Sequence, residues 1–172
     1  MSRKHSAFDY RFEPLGAHHD REGFSCGVDA LDAYIRQKAG QDLKRNLAAV
    51  FILTPDEQTI AGYYTLSSHS LNANDLPAQI GKKLPRFPIP VTLLGRMAIR
   101  QSLQGRGLGE FMLADALQRT LRSSQQVASW AMVVDAKAGA KDFYIKHGFL
   151  PLPSIPDRLF LPMKTIDTLF RE

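Results

Sequence analysis

A single cysteine, Cys26, is present, so no disulfide can form within the chain. That fits a reducing cytoplasm. No apolar run approaches the roughly 20 residues that a bilayer span requires, so no membrane segment is expected. The N-terminus, M-S-R-K-H-S-A-F-D-Y, carries charge but lacks the apolar centre of a secretory signal. Acidic residues are missing altogether between Asp75 and Glu110. Metal ligands are sparse. His18 and His19 lie near Asp20 and Glu22, but adjacent residues face different ways and no third ligand stands at useful spacing. No metal is expected. No repeat, low-complexity tract or linker divides the chain, so a single domain over residues 1–172 is expected. Cys26 reads as a small buried residue before a helix rather than as a nucleophile.

The residues that are present, 44% hydrophobic and 23% charged, are those of an ordinary globular protein. The net charge of +5 is unevenly spread. Lys82, Lys83, Arg86, Arg96, Arg100 and Arg106 fill the stretch without acids. Arg36, Lys38, Lys44 and Arg45 form a second cluster, offset only by Asp42. Two basic patches suggest a polyanionic partner, although a solvated basic face would have the same composition. No Lys/Arg run is long or interleaved with aromatics, so composition alone gives little sign of nucleic-acid binding.

Taken in order, Tyr10–Leu15 reads as a short strand ended by Pro14, followed by a polar loop over residues 16–27. Val28, Leu31, Tyr34 and Ile35 recur at helical spacing, with Gly40 expected to interrupt the helix before a further turn or two over 41–47. Ala48–Thr54 and Ile60–Ser68 read as an antiparallel hairpin turned by P-D-E-Q. Pro77, Pro85, Pro88 and Pro90 predict a loop with no regular element over 71–90. Val91–Ile99 is a strand, and 108–121 an amphipathic helix with Leu113, Ala116, Leu117 and Leu121 on one face. Val127–Val134 is apolar with little alternation, as in a strand covered on both faces. A helix over 138–147, stopped by Gly148, and strands over 149–152 and 158–166 complete the pattern. Strand, turn, helix and strand around the glycines require a parallel crossover. The class is α/β in three layers, with a mixed sheet.

Between strand and helix lies R-Q-S-L-Q-G-R-G-L-G, Arg100–Gly109. Glycines permit positive φ and close approach to the backbone. The helix that follows directs its unpaired N–H groups and positive dipole end into the turn, and Arg106 adds a planar cation. This is an anion site, most often one for phosphate. The spacing fits neither G-x-x-x-x-G-K-[ST] nor G-x-G-x-x-G. What stands here is Q-x-x-G-x-G/A, read at Gln104, Gly107 and Gly109. It resembles the pyrophosphate-binding motif of the GNAT superfamily of acetyl-CoA-dependent N-acetyltransferases. The resemblance implies a single-domain GNAT fold with helices on both faces of the sheet, splayed between two parallel strands, here Val91–Ile99 and Val127–Val134. It implies pantetheine contacts from the backbone of Met97, Ala98 and Ile99, and pyrophosphate contacts from Gln104, Gly105, Arg106, Gly107, Leu108 and Gly109.

Acetyl transfer needs a neutral amine, stabilisation of an oxyanion and handling of a leaving thiolate. K-D-F-Y-I-K-H-G-F resembles the A-x-x-F-Y-x-x-x-G-F signature of many GNAT enzymes, in which the tyrosine protonates or hydrogen-bonds the departing sulfur. That maps onto Tyr144. Full proton transfer from an ordinary phenol to a thiolate is uphill by about 2 kcal/mol, so hydrogen bonding is the expected role. His147 reads as a helix-end residue. No carboxylate stands out as a base, which favours an α-amine acceptor, partly neutral near pH 7.

The resemblance covers most of the chain. F-x-C-G-x-x-x-L-D-x-Y-I (Phe24–Ile35), G-Y-Y-T-L, L-G-R-M-A-I-R-x-S-L-Q-G-R-G-L-G and D-R-L-F-L-P-M-K-T-I are similar to the GNAT toxins of bacterial type II toxin–antitoxin pairs. Those toxins acetylate the α-amino group of aminoacyl-tRNA and block translation. They pair with a ribbon-helix-helix antitoxin, repress their own promoter with it by binding operator DNA, and form dimers. On that reading Arg36, Lys38, Lys44, Arg45, Lys82, Lys83 and Arg86 would grip the tRNA. The alternatives are a GNAT enzyme for a small amine or protein N-terminus, and a basic nucleic-acid-binding module that keeps the fold without catalysis.

Overall fold

The computed structural model describes residues 9–136 and 139–171. Seven strands hydrogen-bond in the order β1-β2-β3-β4-β5-β7-β6. They are β1 (Arg11–Pro14), β2 (Ala49–Thr54), β3 (Gly62–Leu71), β4 (Ile89–Ile99), β5 (Ala131–Asp135), β6 (Leu150–Pro151) and β7 (Arg158–Pro162). β4 and β5 are parallel; β1–β2, β2–β3, β5–β7 and β6–β7 are antiparallel. This is the mixed sheet that the crossover demands. The chain forms two compact units.

The first unit comprises the residues up to Leu66 together with Arg96–Asp115. The β2–β3 hairpin is where the apolar runs place it, in register from Ala49↔Leu66 to Leu53↔Gly62. One helical run carries α1 (Asp29–Ala33), a π-helical segment (Tyr34–Lys38) and α2 (Ala39–Lys44). Gly40 does not interrupt it. The register changes at the π segment instead, where Tyr34 and Ile35 are buried. Asp32 anchors the start of this run by accepting the Cys26 N–H at 2.8 Å and the Ser25 hydroxyl at 3.3 Å. Phe24, Ile35, Ile52, Ile60 and Tyr63 are wholly buried in its core.

The second unit comprises Ser67–Gly95 and the residues from Ala116 on. Here the expected loop over 71–90 does contain regular structure. A 3-10 turn (Ala73–Asp75) is held by a reciprocal capping box between Asn72 and Asp75, and α3 (Ala78–Gly81) starts after Pro77. Proline is excluded from helix interiors but suits this entry, because its φ is already set. β5 starts at Ala131, four residues later than the apolar run. Val127 is 74% exposed and its N–H bonds back to Ser123. The Ser129 hydroxyl instead meets that of Thr92 at 2.9 Å. The last strand is also shorter than expected. It ends at Pro162, and residues 163–169 form α6 (Met163–Leu169), begun by a bond from the Met163 N–H to Trp130 O.

Two helices flank the sites discussed below. α4 (Leu108–Ser124) follows the glycine turn, and α5 (Lys141–Lys146) precedes Gly148. Ala138, the expected start of the latter helix, lies outside the described residues.

Candidate active site

In the first unit, β4 ends at Ile99 and a 3-10 turn over Gln101–Leu103 leads to the glycines. Gly105 and Gly107 hold φ of +78° and +80°, and a Cβ on either would meet nothing within 4 Å. The backbone there is open and shaped by glycine, not by packing. The first bond of α4 runs from the Phe111 N–H to Gly107 O, so the amides of Leu108, Gly109 and Glu110 precede the helical ladder. Arg106 is exposed, and Leu108 is buried and seats the helix. These groups fit a pyrophosphate: N–H donors ahead of the helical ladder, a positive dipole end and the exposed Arg106 cation, whose charge also acts on Tyr10.

Gln104 has a different role from the glycines. Its side-chain amide donates to Cys26 O at 2.8 Å and to Ile99 O at 2.9 Å, so its side chain braces the turn from within. Arg100 also turns inward. Its Nε donates to Ile60 O at 2.9 Å, its Nη1 to Gly23 O at 2.7 Å, and its backbone N–H to Ala61 O at 2.8 Å. Arg96 stacks its guanidinium 3.7 Å above the Tyr34 ring. Two of the six cations in the acid-free stretch are therefore engaged within the fold.

Met97 and Ile99 are half-buried and Ala98 is buried. Sequence reasoning missed Gly62 opposite them. A Cβ there would lie 2.7 Å from Ala98 O and 2.8 Å from Met112 Sδ. A glycine inside an apolar strand pattern, I-A-G-Y-Y, is the available signal for such a close approach.

In the second unit, α5 ends in a Schellman motif. The Gly148 N–H donates to Ile145 O (3.0 Å) and the Phe149 N–H to Tyr144 O (3.1 Å), with Gly148 at φ +95°. Phe149 then packs edge-on against Tyr144 at 5.4 Å, and Phe143 does so at 5.2 Å. The Tyr144 residue is only 7% exposed on this account, and among the described residues no group hydrogen-bonds its hydroxyl. Burial pushes that phenol up to about 12. It is a neutral donor at any physiological pH.

The basic residues expected to grip nucleic acid divide between the two units. In the first, Lys38, Lys44 and Arg45 are exposed, whereas Arg36 is half-buried and donates to Phe24 O. In the second, Lys82, Lys83 and Arg86 are exposed. Phe87, beside them, is 76% exposed. Phe87 thus ends the basic run K-K-L-P-R-F and does not alternate with its cations.

The histidine pair has a third member that the sequence reading missed. Glu13 Oε1 lies 3.0 Å from His18 Nε2 and 2.5 Å from His19 Nε2. Spacings of five and six residues across a loop give little sequence signal. The Gly16 N–H donates to His19 Nδ1 at 2.9 Å, so neutral His19 carries its proton on Nε2 and gives it to Glu13. Glu13, His18 and His19 each offer one ligand atom, all within 4.8 Å of one another, so the third ligand that the sequence did not reveal is present and the cluster could hold a metal ion. Burial raises the Glu13 carboxyl, but bonds from His18 and His19 outweigh that and hold it below its usual range. The cluster fastens the loop to β1.

Comparison with known families decides what this set of features belongs to. The acetyltransferase (GNAT) domain matches residues 46–151. The chain belongs to the GNAT acetyltransferases. This GNAT chain is 32% identical over 168 residues, 91% of its length and 93% of the relative's, to "Probable toxin TacT" of Sinorhizobium fredii. It is 34% identical over 146 residues, 84% and 87% of the two lengths, to the "tRNA-acetylating toxin" of Mycobacterium tuberculosis. Among solved structures it is similar to AtaT complexed with acetyl-methionyl-tRNAfMet, at TM-score 0.88 and 32% identity over 94% of this chain and 99% of that one. AtaTR bound with AcCoA follows at 0.84 and 33%, over 95% and 99%. The AtaT–AtaR complex bound to DNA superposes at 0.78 and 30%, over 94% and 99%.

Proposed function

We propose that this GNAT acetyltransferase transfers the acetyl group of acetyl-CoA to the α-amino group of an aminoacyl-tRNA and so blocks translation. The observation that carries the reading is the near-full-length likeness to AtaT complexed with acetyl-methionyl-tRNAfMet. The likeness to the Mycobacterium tuberculosis tRNA-acetylating toxin supports it. The whole chain, 1–172, is then one acetyltransferase domain. Its partners would be an antitoxin, of ribbon-helix-helix type by the resemblance to GNAT toxins, and, through it, operator DNA; the likeness to AtaTR and to the AtaT–AtaR complex bound to DNA supports an antitoxin and DNA as partners. A homodimer and a cytoplasmic setting belong to the same reading. Among the described residues no helix is long and apolar enough to cross a membrane.

Acetyl-CoA supplies the acetyl group as a thioester. The backbone of Met97, Ala98 and Ile99 would line its pantetheine arm. The amides of Gly105, Gly107, Leu108 and Gly109 and the Arg106 cation would hold its pyrophosphate, with Gln104 bracing the turn. Tyr144, which keeps its proton, would offer it as a hydrogen bond to the departing sulfur. Full transfer from a phenol near 12 to a thiolate is uphill by about 5 kcal/mol, so the bond stabilises developing charge. The acceptor amine needs no base, because an α-amine near pKa 8 is partly neutral at pH 7. Lys38, Lys44, Arg45, Lys82, Lys83 and Arg86 would meet phosphates, and binding would weaken steeply with salt.

The test supplies radiolabelled acetyl-CoA with aminoacylated tRNA beside the same tRNA deacylated. Label confined to the charged pool, released by mild ester hydrolysis as acetyl-amino acid, is the expected result. No label on either pool, with acetyl-CoA still bound, would transfer the reading to a small amine or protein N-terminus.

A further inference from the structure

We infer that Phe87 is a stacking platform for an unpaired base at the 3′ end of the tRNA, an inference that builds on the aminoacyl-tRNA reading above. Three observations in the second unit converge on it. First, Phe87 is 76% exposed, the most exposed of the large hydrophobic side chains among the described residues. Core packing cannot explain an aromatic left that far in water. Second, its neighbours are cations and prolines: K-K-L-P-R-F-P, residues 82–88, with Lys82, Lys83 and Arg86 exposed. Pro85 and Pro88 restrict the backbone around Phe87, so less freedom is lost when a ligand seats on the ring. Third, Arg86 lines a groove of about 510 Å³ together with Asn72, Ala73, Asn74 and Asp75. It also lines an adjoining groove of about 440 Å³ that includes Lys82. The one carboxylate there, Asp75, is engaged by the Asn72 N–H at 3.0 Å in the capping box.

Cations flanking an exposed aromatic suit single-stranded nucleic acid: the charges follow the phosphates and the ring takes a base face. A duplex hides its base faces in its own stack. In an aminoacyl-tRNA the unpaired nucleotides nearest the reacting amine are those of the 3′ end that bears the amino acid. On that chemistry Lys82, Lys83 and Arg86 would follow the backbone and Phe87 would take a base.

The test compares Phe87→Ala, Phe87→Trp and Phe87→Leu with the wild type. All should fold, because the side chain is exposed. One arm measures Kd for deacylated tRNA and for the same tRNA with its unpaired 3′ nucleotides removed. The wild type should prefer the intact molecule by about tenfold. Phe87→Ala and Phe87→Leu should erase that preference, and Phe87→Trp should keep it. The salt dependence should be unchanged in Phe87→Ala but reduced in Lys82→Gln/Lys83→Gln. The other arm measures acetylation of charged tRNA, where Phe87→Ala should raise the KM with acetyl-CoA affinity unchanged. Lack of a 3′-end preference in the wild type, or one that survives in Phe87→Ala or Phe87→Leu, overturns the inference. Acetylation with no 3′ effect defeats the stacking alone. A 3′ preference that depends on Phe87 without acetylation defeats the transferase reading alone.

Discussion

The Gln104 side-chain amide donates to Ile99 O at 2.9 Å, tying the glycine turn to the strand that feeds it; the same nitrogen reaches Cys26 O at 2.8 Å. A residue that family resemblance assigns to the cofactor would thus act through the loop it supports. Gln104→Ala removes two hydrogen bonds of about 1 kcal/mol each. It should lower Tm by several degrees and weaken acetyl-CoA binding about tenfold. Gln104→Glu cannot donate to either carbonyl and should be at least as damaging. Isothermal titration with acetyl-CoA checks both, and unchanged affinity in either variant would release Gln104 from this role.

Tyr144→Phe removes the hydroxyl and leaves the ring packed against Phe143 and Phe149. Turnover should fall on the order of 100-fold, with acetyl-CoA affinity preserved. The phenol lies near 12, so any alkaline limb due to its ionisation should fall near pH 12 and not near pH 10. Steady-state kinetics from pH 7 to 11 would show a limb at 10 if the hydroxyl were solvated.

Buried phenols should also govern alkaline stability. Burial raises Tyr144 to about 12, and burial with the Asp42 hydrogen bond raises Tyr34 to about 12; burial raises Tyr63 further. Between their unfolded value near 10 and these folded values, the unfolded chain binds fewer protons than the native one. Stability from these groups is therefore full below pH 10 and falls as pH rises from 10 to 12. Urea unfolding at pH 9, 10 and 11 should show that decline, and it should be shallower in Tyr144→Phe. A pH-independent free energy up to 11 would contradict it.

Arg36 and Arg45 should behave differently although both belong to one basic cluster. Arg36 donates to Phe24 O from a half-buried position, whereas Arg45 is exposed. Arg36→Ala should cost about 2 kcal/mol in denaturant unfolding. Arg45→Ala should leave stability within about 0.5 kcal/mol and raise the KM for charged tRNA. The opposite pattern would make Arg36 the nucleic-acid contact.

Gly62→Ala brings a methyl group to 2.7 Å from Ala98 O, where the obstacle is backbone. A loss of about 3 kcal/mol is expected, together with weaker acetyl-CoA binding through displacement of Ala98. A variant of wild-type stability would mean that β3 yields freely.

The sequence displayed β4, the turn and α4 clearly because three signals agree there: an apolar run, glycines and a helical stripe. Where signals compete, the reading failed. Val127, Ala128, Ser129 and Trp130 look like strand, but Ser129 finds the Thr92 hydroxyl and Trp130 finds Pro90 O, so local bonds replace the ladder. Beyond Pro162 the apolar spacing suits strand and helix equally, and proline marks the boundary. Prolines around α3 were read as breakers when Pro77 is a starter. Tyr144 was legible as a motif, but its burial, with no hydrogen-bond partner for its hydroxyl among the described residues, was not, since that burial depends on Phe149 across a Schellman turn. Arg36 and Lys82 look alike in composition, and only packing separates the inward cation from the outward ones.

The π segment at Tyr34–Lys38 means that this helical run holds one residue more than a regular helix of the same rise. Its surplus sits where Tyr34 carries Arg96 on its ring and hydrogen-bonds Asp42 at 2.9 Å. Aligned with relatives whose helix is unbroken, the chain should show a one-residue insertion at this place. Deleting one residue here would restore an ordinary helix and, in doing so, rotate Tyr34 relative to Asp42 by a hundred degrees.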